Sequence, residues 1–385
     1  GDRAFHRLVR EAHRRGIHIL LDGVFNHASR GFFQFNHLLE AGEQSPYRDW
    51  FHVHGFPVRA YDAQPNYAAW WNLPALPKLN MDNPQVRAFI MDVARYWVEQ
   101  GADGWRLDVP EEIDDDGFWQ EFRAVVKRAN PGAYIVGEIW HDAHRWLQGD
   151  QFDAVMNYPL AYACLSFFGG RRVNPEQAHA SARPHLSDLD APGFAARVDD
   201  LLRKYTRPVT LAQLNLLDSH DTPRFVTTVG GDRDTLRLAT LFQMTYPGAP
   251  CIYYGDEIGM EGSFDPDCRR AFPWDETQWD TDLRDYVKDA IALRRAHPAL
   301  RTGEFIPLHA EGRVYGFLRR LNQDVLVVVF NGGDEARQMN LSVHDHLPHE
   351  MVLNTVFGPG NVCAPVGQMT ELHLPARTGI VLATE

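Results

Sequence analysis

Ala102-Asp103-Gly104-Trp105-Arg106-Leu107-Asp108-Val109 reads as a buried parallel strand that ends in a carboxylate. Arg106 and Asp108 are two residues apart, so an extended chain sends both side chains to the same side. An arginine and an aspartate facing inward at a strand's C-terminal end are costly to bury unless each has a partner. Such a pair is either a structural ion pair or part of a site, and the segments around it decide which.

Working outward, strand and helix alternate. Gly1 to Arg15 places Phe5, Leu8, Val9 and Ala12 at helical spacing, and Gly16 stops that helix. Residues 17–22 (Ile-His-Ile-Leu-Leu-Asp) form a continuous apolar run, the pattern of a strand buried on both faces. From Ala28 to about Asn80 the alternation lapses into a stretch rich in Gly, Pro and aromatics, an insertion of the kind that is usually functional. Asn83-Pro84 opens a helix to Gln100 as cap and first position. Strands are then expected at 103–108, 133–138, 152–157, 213–217 and 251–254, with helices near 117–129 and 233–245 and a mostly helical stretch over 173–204.

Alternating units of this kind predict a parallel sheet, doubly wound or closed as a barrel. No Gly-rich phosphate fingerprint follows the first strand, which weakens a dinucleotide-binding version. A long helix from Thr281 to His297 leads to short strands (314–318, 325–330, 371–374 and 380–382) and the turn Asn331-Gly332-Gly333, an all-β sandwich of its own. The expected domains are a barrel over 1–27 and 81–304, an inserted domain over 28–80, and a C-terminal all-β domain over 305–385.

Composition narrows the function. A formal net charge of -13 argues against nucleic acid or an anionic membrane as partner and fits a neutral or cationic ligand. No apolar run reaches the roughly 18 residues that span a bilayer. Aromatics (Trp 10, Tyr 13, Phe 22) suit the flat apolar faces of sugar rings, although most belong in a core of this size. Cys164, Cys251, Cys268 and Cys363 are widely spread with no CxxC, so no disulfide is expected; a reducing compartment, the cytoplasm, is the expected location.

In parallel α/β sheets ligands sit beyond the C-terminal strand ends, and polar residues gather there. Asp22 is followed by Asn26 and His27, and Asp108 closes the opening stretch. Glu138 is followed by Trp140 and His141; Asp218-Ser219-His220-Asp221 is followed by Arg224. Two chemistries could use such a crater: a divalent metal held for hydrolysis, or paired carboxylates cleaving a glycosidic bond. The pairs His52/His54 and His344/His346 fall outside the strand ends, in the insertion and the β domain, which favours the carboxylate reading without closing the metal one.

At this point the residues carry a resemblance. Asp22-Gly23-Val24-Phe25-Asn26-His27, Gly104-Trp105-Arg106-Leu107-Asp108, Gly137-Glu138 and Ser219-His220-Asp221 resemble, in order and spacing, the four signature regions of the α-amylase family of retaining glycoside hydrolases. Leu76-Pro77-Lys78-Leu79-Asn80 is similar to the extra motif of its neopullulanase, cyclomaltodextrinase and maltogenic amylase branch, as are Pro250 to Met260 and Asp265 to Arg270.

The resemblance implies a (β/α)8 TIM barrel with inserted domain and C-terminal sandwich, and hydrolysis of α-1,4-glucosidic bonds in cyclodextrins, maltooligosaccharides or pullulan. It implies Asp108 as nucleophile, Glu138 as acid/base and Asp221 as the carboxylate that holds sugar hydroxyls. Asp22, His27, Arg106, His220, Arg224, Lys78, Glu112 and Trp140 become candidate substrate-binding residues. An opposite charge at Arg106 would keep Asp108 ionised, and nearby acids would keep Glu138 protonated. No cofactor is required. A structural Ca²⁺ is the one metal to weigh, with Asn26 as candidate ligand but no acidic cluster to complete its shell.

The alternatives are an α-glucosidase or transglycosylase of the same family, or, from another class, a non-catalytic amylase-like subunit. The branch commonly has Val-Ala-Asn-Glu after the nucleophile, whereas Val109-Pro110-Glu111-Glu112 stands here, which leaves the subtype open. Relatives have two barrel strands before the one at 17–22, so a barrel lacking its first two strands is the expectation, with a homodimer of the full-length protein.

Overall fold

The opening stretch lies in the first of two units, Gly1–Met156 and Asn157–Glu385, of a computed structural model describing residues 1–341, 343, 345–366 and 371–384. In the first unit, α1 (Asp2–His13) leads to β1 (Leu20–Gly23), and α2 (Phe33–Ala41) lies in the insertion. Then come α3 (Pro84–Glu99), β2 (Gly104–Leu107), α4 (Asp116–Ala129), β3 (Tyr134–Gly137) and β4 (Ala154–Val155). The strands form one parallel sheet in the order β1-β2-β3-β4.

Local chemistry fixes the helix starts. Asn83 accepts from the Gln85 N–H with Pro84 in the first turn, and Asp115 accepts from the Phe118 N–H. Phe118, Trp119, Phe122 and Val126 recur along one side of α4 and are buried. Phe25 joins them, with its ring 5.4 Å from Trp105 and 5.5 Å from Phe122. Each such side chain contributes about 1.5–3 kcal/mol when fully buried. Gly104 is required where it stands: its φ is +153°, and a Cβ there would lie 2.0 Å from the Tyr134 carbonyl oxygen.

The insertion folds around its own aromatic cluster. Phe35, Phe51 and Tyr67 are buried in edge contacts at 4.9 and 5.0 Å. Bridges such as Phe51↔Leu79 and His27↔Lys78 return the chain beside its point of departure. The short helix α2 is invisible to the pattern reading, which treats this stretch as irregular.

The apolar run before Asp22 is not buried on both faces. Ile17 is 51% and Leu20 38% exposed, and the strand begins only at Leu20. The reason is position: among the described residues β1 is an edge of this sheet and pairs with β2 alone.

The second unit begins with α5 (Tyr158–Cys164), α6 (Ala191–Lys204), α7 (Arg207–Ala212), β5 (Leu214–Leu216), α8 (Phe225–Thr228), α9 (Arg233–Thr245) and β6 (Ala249–Cys251). β5 and β6 pair in parallel. The last of the expected parallel strands thus stops three residues short of Tyr254, in a turn. The stretch 173–204 is helical only from Ala191; before it, Pro175 and Pro184 confine the chain to single turns.

Next come α10 (Thr281–Ala296), α11 (Pro298–Thr302), β7 (Glu304–Glu311), β8 (Val314–Leu321), β9 (Asp324–Asn331) and β10 (Arg337–Asn340). The chain ends in β11 (Val352–Phe357), β12 (Cys363–Pro365), β13 (Glu371–Leu374) and β14 (Thr378–Thr384). An antiparallel sheet runs β12-β11-β14-β9-β8-β7, and β10 pairs with β13 beside it. One core joins helices and sheet, with Phe167, Phe168, Phe194, Phe242, Phe317 and Phe330 in it. Arg294, 8% exposed, seals the C-terminal end of α9 by donating to the carbonyls of Met244 (2.8 Å) and Tyr246 (3.0 Å), and also to that of Leu300 (2.9 Å). All four cysteines are free. Among the described residues no helix is long and apolar enough to cross a membrane.

Candidate active site

The register of the first sheet brings its strand-end acids together. Asp22 pairs with Arg106 and Leu107 with Gly137, so Asp22, Asp108 and Glu138 emerge at one end of three adjacent strands. Arg106 binds all three. Its Nη1 donates to Asp22 Oδ1 and to Asp108 Oδ1, both at 2.9 Å, and its Nη2 lies 2.7 Å from Glu138 Oε2. Burial works against the Arg106 charge, yet Glu138, Asp22 and Asp108 outweigh it and hold the guanidinium above its ordinary value. Glu138 is 2% exposed and Asp108 20% exposed, whereas Asp22 at 55% opens to solvent. Asp108 and Glu138 are thus held by the two terminal nitrogens of one guanidinium, and paired carboxyls are what glycoside cleavage without a metal requires.

The chain just beyond Asp108 is strained. Val109 has φ +33°, unusual for a β-branched residue and more so before a proline. The turn that follows carries Glu111 and Glu112 outward. Glu112 takes the Lys78 ammonium at 2.8 Å, and Glu111 takes His141 Nε2 at 2.6 Å. The departure at Glu111 therefore joins the loop after Asp108 to the loop after Glu138.

His27 is buried, and its Nδ1 lies 3.1 Å from the Asn26 side-chain amide nitrogen. With that amide donating, the neutral ring carries its proton on Nε2, a donor for a ligand hydroxyl. Burial lowers the His27 pKa, with Lys78 adding to the effect while Asp108 and Glu112 oppose it. Asn26 thus orients an imidazole.

Trp70 stacks on His27 at 5.0 Å and Trp71 on Trp70 at 4.5 Å, with Trp71 75% exposed and in a left-handed conformation (φ +48°). Sequence reading does not select this pair; the signal available is two adjacent tryptophans in an insertion that needs few for its core. Trp140 is half-buried in the turn after Glu138. His52 and His54 are exposed in the insertion; of the other pair, His344 lies outside the described residues.

The second unit holds the remaining candidates. Asp221 Oδ1 receives Arg269 Nη2 at 2.7 Å, its Oδ2 lies 3.1 Å from His220 Nε2, and Arg269 Nε donates to the His220 carbonyl at 2.9 Å. Arg269 is a further residue that sequence reading does not select. Arg224 is not placed to touch a ligand: it is fully buried, donates to Asp256 Oδ1 (2.9 Å) and the Cys268 carbonyl (3.1 Å), and lies over the Tyr253 and Tyr254 rings. It belongs to the frame beneath the Asp221 loop. In that frame burial raises the pKa of both Asp256 and Asp218. The neighbouring Asp218 charge raises Asp256 further, whereas a hydrogen bond with Asp256 eases Asp218 back, and Arg224 pulls both down.

A family model described as the catalytic domain of α-amylase matches residues 1–303. The chain belongs to the α-amylase family. Among its relatives in that family, a cyclomaltodextrinase from Bacillus sp is 47% identical over 84% of this chain and 56% of that protein. Neopullulanase 2 from Thermoactinomyces vulgaris is 47% identical over 88% of this chain and 55% of that protein. The chain spans about half the length of the curated relatives it matches. The crystal structure of Ttha1563 from Thermus thermophilus superposes with a TM-score of 0.95 at 44% identity, covering 100% of this chain and 80% of that one.

Proposed function

We propose that the protein is a retaining glycoside hydrolase acting on α-1,4-linked glucans, with cyclodextrins, maltooligosaccharides or pullulan as substrates. The observation that carries the reading is the single guanidinium of Arg106 bonded to three strand-end carboxylates. In this mechanism an Asp108 oxygen attacks the anomeric carbon as the glycosidic C–O bond breaks, and the leaving oxygen takes its proton from Glu138. Glu138 Oε2 lies 2.7 Å from the guanidinium. Glu138 then removes a proton from water, whose oxygen attacks the same carbon and releases Asp108 with net retention. Arg106 compensates charge on the nucleophile before and after the covalent step. Asp221 holds sugar hydroxyls; that role rests on the motif Ser219-His220-Asp221. His27, Lys78, Glu112 and Trp140 contribute contacts to the sugars.

The family's catalytic domain is a TIM barrel, and β1–β6 are read as six of its strands. In that division 1–27 and 81–304 are catalytic, 28–80 an inserted domain and 305–385 the C-terminal sheet domain. No step requires a metal, because the paired carboxylates account for both proton transfer and nucleophilic attack. The names of the relatives support the substrate class. Product analysis by NMR on β-cyclodextrin and on pullulan tests it: the expected first product carries the α-anomeric configuration. A β-anomer formed first, or no turnover of any α-glucan, would contradict it.

A further inference from the structure

The end of the first sheet opposite the carboxylates carries a second cluster. His13 Nε2 lies 2.8 Å from Asp103 Oδ2, and His18 Nδ1 lies 3.0 Å from Asp103 Oδ1. The three side chains come from the last residue of α1, the segment leading into β1 and the residue before β2. Asp103 is the fixed member. Its Oδ2 accepts the Ile19 N–H at 2.7 Å, while its own N–H donates to the Ile19 carbonyl at 2.7 Å. A carboxylate that accepts the Ile19 N–H, on a backbone itself bonded to the Ile19 carbonyl, is oriented before any ligand arrives, which is what outer-shell hydrogen bonds do in metal centres. The two imidazoles converge on it from separate elements, and one donor atom from each of the three residues lies within 4.8 Å of the others.

We propose that His13, His18 and Asp103 bind one divalent transition-metal ion of the zinc class. Two imidazole nitrogens and one carboxylate oxygen form the borderline-soft donor set that Zn²⁺ takes. Bonds of about 2.0–2.2 Å in tetrahedral geometry separate donor atoms by about 3.3 Å. The imidazoles now contact different oxygens of Asp103, and with one donor atom of each residue within 4.8 Å of the others, rotation of the side chains brings them to that spacing. Both are solvent-facing (side chains 41% and 78% exposed), so water completes the fourth position. The ion sits at the N-terminal ends of β1 and β2, the end of a parallel sheet that serves stability rather than catalysis. It staples α1 to both strands and takes no part in glycoside cleavage.

Isothermal titration of metal-stripped protein with ZnCl2 tests this. Saturable uptake of one ion per chain is expected, with a thermal midpoint that rises with zinc concentration. His13→Ala and His18→Ala should each weaken binding at least about tenfold, and the double variant should abolish it. Turnover of an α-glucan should be the same in the stripped and zinc-loaded protein, which separates this site from the carboxylate site. Circular dichroism confirms that each variant is folded. Should a variant fail to fold, Co²⁺ on the unaltered protein reads the same site, with the intense visible bands of tetrahedral coordination expected. No saturable uptake, uptake unchanged in the double variant, or only the weak cobalt spectrum of an octahedral ion would overturn the proposal and leave a hydrogen-bonded His-Asp-His bridge.

Discussion

Glu138 and Asp108 share one arginine and differ in burial, and their exchange for amides should separate their roles. Glu138→Gln should lower turnover of maltooligosaccharides by about 10²–10⁴-fold, while activated aryl glucosides, whose leaving groups need little protonation, lose much less. Equal losses on both substrates, measured as kcat, would remove Glu138 from the acid role. Asp256 offers a different test. Burial, and then the Asp218 charge, raise its pKa well above the ordinary carboxylate range. A carboxyl raised on folding contributes stability at low pH and loses it as pH rises through the folded-state value. Asp256→Asn fixes the neutral form, so thermal melts across pH should show a gain for the variant at neutral and alkaline pH that vanishes in acid. A gain confined to acid would contradict the assignment. The same-side placement of Arg106 and Asp108 was legible in the sequence because the period of a strand is two. That Arg106 also reaches Asp22 and Glu138 was not, because register is a property of neighbouring strands. Arg224 misled for the same reason: its partner Asp256 lies thirty-two residues away.

At the scale of elements, caps and spacing carried the reading. Asn83-Pro84 and the apolar side of α4 place their helices to within a residue or two. The insertion resisted, since α2 and the Trp70–Trp71 stack depend on contacts among its own aromatics rather than on any period. The run at Ile17–Leu21 reads as doubly buried because composition cannot show that, among the described residues, β1 pairs with β2 alone. Gly104 is the element-scale position at which a small change should do most damage. An alanine Cβ would meet the Tyr134 carbonyl of the adjacent strand, so Gly104→Ala should cost at least about 3 kcal/mol, read as a lowered denaturant midpoint. A midpoint within error of the parent would show that β2 and β3 can part locally without loss.

For the molecule as a whole, the family was legible because its motifs sit at strand ends, where backbone register and chemistry coincide. The second unit's sheet was only half legible: β8 and β9 are long apolar runs, whereas β10, β11 and β12 are short. Metal dependence is a whole-molecule property here. Chelation with EDTA should leave kcat on cyclodextrin unchanged while lowering the thermal midpoint; abolition of kcat with recovery on adding zinc would support metal-dependent hydrolysis instead. The central claim, that Asp108 forms a covalent bond to the sugar, is tested most directly by trapping. The protein is incubated with a 5-fluoro-α-glucosyl fluoride, digested and analysed by peptide mass spectrometry. The account predicts one glycosyl adduct, on Asp108, absent from Asp108→Asn; an adduct on another carboxylate, or none despite turnover of the parent substrate, would contradict it.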